Sequence, residues 1–227
     1  MRDQGTTSVA AAPAWFRPFA ELPQRVLATD LSRFLPHPDG GYRRAAVLVL
    51  LGETDHGPDV LLTQRSSTMR AHPGQVSFPG GALDPGEGPE QAALREAAEE
   101  TGLDPTGVRI SGRLPDLYLP VSDFAVTPVI AWWHTASSVD PVDPAEVAKV
   151  ARVPLSELAD PRNRFQVSHP SGYVGPGFAA AGLFVWGFTA GLLDRILAVT
   201  GWERPWDPEQ FRRLPDEGGD RGWRVDG

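Results

Sequence analysis

Gly81-Ala-Leu-Asp-Pro-Gly-Glu87, continuing through Arg95-Glu96-Ala97-Ala98-Glu99-Glu100-Thr101-Gly102-Leu103, is the stretch that decides the reading of this chain. From Pro89 to Thr101 the sequence is rich in Ala, Glu and Leu and holds no glycine. Pro89 suits a first helical position and Gly102 the left-handed residue that ends a helix, so the segment predicts a helix over 89–101. Glu96, Glu99 and Glu100 are related by i, i+3 and i+4 and project from one face of it. Like-charge neighbours each cost a few tenths of a kcal/mol, and acids in a last turn face the negative end of the helix dipole. Helix stability alone would place Lys or Arg there. A divalent cation resolves the conflict, because clustered carboxylate oxygens are what Mg²⁺ or Mn²⁺ takes. An isolated Glu-rich string is more often a solvated face, so the surrounding pattern has to decide.

That pattern resembles the Nudix box, G-x5-E-x7-R-E-U-x-E-E-x-G-U, with U a bulky aliphatic residue. The chain matches it at Gly81, Glu87, Arg95, Glu96, Glu99, Glu100, Gly102 and Leu103. Ala97 departs from it at the first U, and this smaller residue predicts less packing beneath the helix. The resemblance implies an α/β/α sandwich with a mixed β-sheet, in the α/β (α+β) class, and a loop–helix–loop that carries the chemistry. It implies that Glu96 and Glu100 ligate Mg²⁺ or Mn²⁺, with Glu99 and the carbonyl of Gly80 as further ligands. Glu87 and Arg95 would pair and hold the loop to the helix, with Gly81 and Gly102 as structural positions.

Upstream the chain reads Leu61-Leu-Thr63-Gln-Arg65-Ser66-Ser-Thr-Met-Arg70-Ala-His72-Pro-Gly74-Gln-Val-Ser-Phe78-Pro79-Gly80-Gly81. Residues 61–75 hold two arginines and no acid, and guanidinium suits bidentate recognition of phosphate oxygens. Two loop arginines are usually just solvated; here they run straight into the box. The stretch is similar to a second motif, L-L-T-x-R-[SA]-x3-R-x3-G-x3-F-P-G-G, which marks the Nudix subgroup of coenzyme A diphosphatases. That resemblance implies hydrolysis of CoA or its derivatives to 3′,5′-ADP and 4′-phosphopantetheine or its acyl form, with Arg65, Ser66, Arg70, His72 and Phe78 on the substrate side. Another nucleoside diphosphate derivative, such as ADP-ribose or a dinucleotide, is the alternative substrate. A non-catalytic CoA- or nucleotide-sensing module carries less weight, since such proteins usually lack box carboxylates. With no cysteine, water is the expected nucleophile, and a general base is needed. Glu99 and Glu146 are the candidates, beside Glu96 among the catalytic acids. Family members often form homodimers.

Farther out, the 227 residues fit one domain with appendages. We read 1–40 as an N-terminal extension of unstructured residues and then one or two short helices, 41–202 as the catalytic domain, and 203–227 as a tail. Ala45–Leu51 is an unbroken apolar run and predicts a buried strand, paired with one at 60–63. Strands are expected also at 76–78, 108–119, 125–133, 147–153 and 183–186, and a helix from 189 to 200. Tyr173 and Phe178, in a glycine-rich stretch, are candidates for lining a substrate pocket. The five histidines show no metal-ligand spacing. The formal charge of −8 argues against nucleic acid or an anionic membrane as partner. No run approaches the ~18–20 apolar residues of a membrane span, and Met1–Ala14 lacks the apolar core of a secretory signal, so a cytoplasmic location is the expectation. Seven acids between Asp84 and Asp104, against Arg95 alone, hold most of that charge.

Overall fold

The computed structural model describes residues 12–37, 39–69, 72–168 and 172–214. After a 3₁₀ turn at Ala14–Phe16 come three one-turn helices, α1 (Arg17–Ala20), α2 (Leu22–Arg25) and α3 (Ala28–Leu31). One or two helices were expected. Pro18 and Pro23 sit in the first turns of α1 and α2, where their missing N–H is harmless, and so divide the segment into pieces.

The apolar run becomes β1 (Arg43–Thr54), which returns through Asp55 and His56 into β2 (Gly57–Arg65), antiparallel to it. Next come β3 (Val76–Ser77), β4 (Gly80–Ala82), α4 (Pro89–Thr101), β5 (Val108–Arg113), β6 (Leu117–Leu119), β7 (Phe124–Trp133) and β8 (Val147–Pro154). The β-rich stretch 108–119 divides at Pro115, which has no N–H for the ladder. The chain continues with α5 (Leu155–Leu158), β9 (Arg164–Ser168), β10 (Val174–Ala180), β11 (Leu183–Val185), α6 (Gly187–Thr200) and β12 (Phe211–Arg213).

The main sheet runs β3-β2-β1-β7-β5, with β4 also on β1, β6 on β7 and β8 on β2. β1 and β7 are parallel; the other pairings in this sheet are antiparallel. Both faces of β1 are covered, which explains its unbroken apolar sequence. Ala46, Leu48 and Leu50 share a core with Ala92, Ala93 and Ala97 of α4, while Val49 and Leu51 share another with Phe16, Phe19, Leu22 and Ile196. The result is the expected α/β/α sandwich. Ala97 is 0 % exposed, and Leu103 and Trp133 belong to the same core layer, so the smaller side chain costs no burial.

A second sheet, β11-β10-β9-β12, was not anticipated. It takes up the glycine-rich stretch, and Phe178 is buried in the core rather than lining an opening; Tyr173 packs edge-on to Trp186. The segments flanking 41–202 pack onto it: Phe16, Phe19 and Leu22 enter the main core, and β12 pairs in parallel with β9. Of the aromatic residues expected to anchor the tail, Phe211 lies in β12 and Trp202 packs against the main core, while Trp223 lies outside the described residues.

Candidate active site

The site forms where β4 is pulled beneath α4. Ala45, Ala46 and Val47 of β1 pair with Ala82, Gly81 and Gly80. Gly80 has φ 156°, and a Cβ there would run into the Ala46 carbonyl. At Gly81 a Cβ would lie 2.5 Å from the Glu96 carboxyl carbon. Gly80 is therefore demanded by the backbone of β1, and Gly81 by the Glu96 carboxylate lying directly on it. Gly80 N–H donates to Glu100 Oε2 at 3.3 Å. At the far end of α4, Gly102 takes φ 69° and its N–H closes on the Ala98 carbonyl, ending the helix just beyond the acids.

Arg95 holds most of the remaining oxygens. It binds Glu87 through both Nε and Nη2, each at 3.0 Å, and reaches Glu96 at 2.9 Å, Glu99 at 3.0 Å and the Ala82 carbonyl at 3.1 Å. Asp84 adds a contact at 3.7 Å. Asp84 and the Ala82 carbonyl were missed from the sequence, where a loop acid and a backbone oxygen carry no signal. One guanidinium thus serves four acids. Its hydrogen bonds to Glu87 hold the arginine pKa well above its ordinary value, and the same bonds, with the Asp84 N–H, hold Glu87 below its own.

The inner acids behave in the opposite way. Burial pushes Glu96 up, more than Arg95 pulls it down, and the charges of Glu99 and Glu87 push it further. Burial also raises Glu100, to about 7. The Gly80 N–H and Arg65 oppose that rise, while the charges of Glu96 and Glu146 add to it. Positive charge is in short supply at this spot.

Strand pairing brings the distant residues in. Arg65, at the end of β2, stands opposite Val147, and Ser66 N–H donates to the Glu146 carbonyl at 2.8 Å. Arg65 and Glu146 therefore flank Glu100 from outside the helix, close enough for both charges to act on it. Two residues placed on the substrate side have other duties. Phe78 is 2 % exposed and packs in the main core, because the short extended piece before Gly80 points its ring inward. Ser66 is buried, with its hydroxyl 2.8 Å from that of Thr68, and shapes the turn after β2. His72 is exposed at φ 55° in the loop between β2 and β3. Arg70 lies outside the described residues.

Among the described residues, no three His, Asp or Glu side chains are gathered into a ready metal cage. Arg95 engages Glu96 and Glu99 instead. The donor chemistry nonetheless fits a hard divalent cation: carboxylate oxygens on one helix face, against a glycine backbone, with two of the acids raised by burial and mutual repulsion.

The NUDIX domain family matches residues 41–171. A protein of Enterobacter sp. (strain 638), named an uncharacterized Nudix hydrolase NudL, is 38 % identical over 173 residues, covering 70 % of this chain and 83 % of that one. Nudix hydrolase 3 of Caenorhabditis elegans is 44 % identical over 87 residues, covering 38 % of this chain and only 36 % of that protein. Among solved structures, a Nudix hydrolase from M. smegmatis, RenU, superposes with a TM-score of 0.52 at 22 % identity, covering 77 % of this chain and 98 % of that one. This last likeness shows the fold alone. Among the described residues, no helix is long and apolar enough to cross a membrane. Matching that family across the loop, helix and sheet that build the site, the chain belongs to the Nudix superfamily, hydrolases that act on pyrophosphate bonds.

Proposed function

We propose that this Nudix hydrolase cleaves the diphosphate of coenzyme A or its derivatives, releasing 3′,5′-ADP and 4′-phosphopantetheine or its acyl form. One observation carries the reading. The residues resembling the CoA motif run directly into β4, and their strand delivers Arg65 beside Glu100, an acid that burial raises to about 7. A diphosphate brings several negative charges to a site already short of positive ones. Bound Mg²⁺ or Mn²⁺ supplies the Lewis acidity that makes the combination workable.

Glu96, Glu99, Glu100 and the Gly80 carbonyl are the residues that would hold the cation. Arg65 neutralises charge on the non-bridging oxygens. A water oxygen adds to one phosphorus, the bridging P–O bond breaks, and a carboxylate takes the water's proton. Glu99 is 60 % exposed on α4, and Glu146 is exposed with its charge acting on Glu100, so both meet the access requirement for that base. Arg95 and Glu87 touch neither water nor phosphate in this scheme; they set the angle of the loop.

The test is a panel of CoA, acetyl-CoA, ADP-ribose and diadenosine polyphosphates, with and without Mg²⁺ and Mn²⁺, products identified by mass. The reading expects metal-dependent formation of 3′,5′-ADP from CoA as the fastest reaction. Turnover of ADP-ribose or a dinucleotide with CoA left intact would move the chain to another Nudix specificity. The formal charge of −8 suits a small nucleotide substrate met in the cytoplasm rather than a nucleic acid or an anionic membrane.

A further inference from the structure

We propose that a pocket beside the acidic site, lined by Arg44, Arg113 and Asp116, is a phosphomonoester subsite that receives a ribose 3′-phosphate of the substrate. The inference rests on the CoA-type reading above and names the part of the substrate that gives it selectivity. The pocket is an open depression of about 380 Å³, its remaining wall made by Pro23, Leu114 and Pro115.

Its position follows from strand register. Gly81, Ala46 and Thr127 form a row across β4, β1 and β7. Residues paired directly across strands point to the same face. The Glu96 carboxylate lies on Gly81 at one end of that row. At the other end, the Thr127 hydroxyl donates to Asp116 Oδ1 at 2.5 Å. Two strand spacings separate the ends, about 10 Å. Arg44 precedes Ala46 by two residues on a strand whose pairing with β7 is regular, so it leaves β1 on that same face, about 7 Å along. Arg44 and the Thr127–Asp116 pair therefore lie on the face that carries the acids, within a nucleoside's length of them, while Leu114 and Pro23 of the opposite layer close the other side of the depression.

Its charge is unusual for this molecule. Several arginines elsewhere are engaged: Arg17 with Glu21, Arg43 with the Ser122 carbonyl, Arg95 with its four acids, Arg152 with Asp59, Arg195 with the Asp30 carbonyl. Among the described residues, the side chains of Arg44 and Arg113 make no hydrogen bond, ion pair or ring contact, although both line the same pocket. Two unpaired guanidiniums in a chain of net charge −8 offer bidentate donors to a dianion. Asp116 would repel that dianion if it were the whole ligand. With Oδ1 committed to Thr127, its other oxygen is an acceptor suited to a hydroxyl next to the phosphate. Two donors for a phosphate and one acceptor for a neighbouring hydroxyl describe a ribose phosphate rather than free phosphate.

The test is calorimetric binding of adenosine 3′,5′-bisphosphate and of AMP to wild type, Arg44→Gln/Arg113→Gln and Arg113→Glu. Wild type is expected to prefer the bisphosphate by about 10- to 100-fold, the range for charge-assisted hydrogen bonds. The double variant should bring the two ligands within about threefold, and Arg113→Glu should reverse the preference. Both arginines are exposed, so the second variant reports on the pocket even if the first is unstable. No preference in wild type, or an equal loss for both ligands in the variants, would overturn the proposal. So would inorganic phosphate competing as well as the bisphosphate for the same arginines, which would make the pocket a free-anion site. If the preference is present and lost as expected while CoA is not turned over, the CoA reading fails and the subsite stands.

Discussion

Two arginines gather acids in this molecule, and the contrast between them separates its working part from its scaffold. Arg164 is 1 % exposed on β9; it binds Asp194 of α6 at 2.5 Å and Glu203 at 3.1 Å and lies over the rings of Phe178 and Trp206. Its Nε and Nη1 are buried without hydrogen-bond partners, and burial holds Asp194 above its ordinary pKa despite the ion pair. Arg164 itself is closed to solvent, although Asp194 and Glu203 keep 21 % and 38 % exposure, and the cluster ties the 203–214 segment to the second sheet. Arg95 is 27 % exposed and outnumbered by Asp84, Glu87, Glu96 and Glu99, with Glu100 beyond its reach. Near balance around a buried guanidinium makes a clamp. An acid surplus at an open place suits the cation proposed above.

The sharpest break of that contrast is Glu100→Gln. Losing a proposed charged ligand without losing volume should lower kcat/KM for the diphosphate substrate by about 10³-fold, roughly 4 kcal/mol, with the fold unchanged by circular dichroism. Arg164→Ala should do the reverse. It strands two acids and should cost about 3–5 kcal/mol, seen as a fall of about 10 °C in thermal midpoint, with no change in metal requirement. Arg95→Gln comes next. Loosening the loop against α4 should cost about 10- to 100-fold in activity at subsaturating metal, recovered in part by excess metal, against about 1 kcal/mol of stability.

The smallest effect is one of pH. Glu100 is raised from 4.5 to about 7 in the folded chain, so the folded state binds more protons than the unfolded state between those values. Stability of the metal-free protein should therefore fall as pH rises through that window. Glu100→Gln should relieve the loss by about 1–2 kcal/mol at pH 8, allowing for solvent access, and bring no gain at pH 4. Metal-free thermal melts at the two pH values check this. For the same reason, metal should be displaced by protons as pH falls below about 7.

The acidic region was legible in the sequence because its signal is local. Helix ends, glycine and charge spacing all fall between Gly81 and Leu103, and the apolar run of β1 shows as plainly. The Arg164 region was not. A fully buried arginine inside a strand runs against expectation for a charged residue. Gly175-Pro176-Gly177 in β10 reads as loop, although a side chain at 177 would collide with Phe165 and Val167 of β9. That packing is fixed by long-range pairing, which leaves no local pattern. The same limit applies within the site: β2–β8 pairing, some eighty residues apart in sequence, is what sets Glu146 beside Arg65. Phe78 ends an expected extended piece and was placed on the substrate side because it runs into Pro79-Gly80-Gly81, whereas its burial depends on β3 pairing with β2.

The proposed seating of a cation by the surplus acids of α4 is checked by counting free Mn²⁺ by electron paramagnetic resonance while following CoA cleavage in the same samples, for wild type and Glu96→Gln/Glu100→Gln. Wild type should take up Mn²⁺ and form 3′,5′-ADP in proportion to it, and the folded double variant should do neither. Full Mn²⁺ uptake by the variant, or cleavage by wild type in excess chelator, would contradict it.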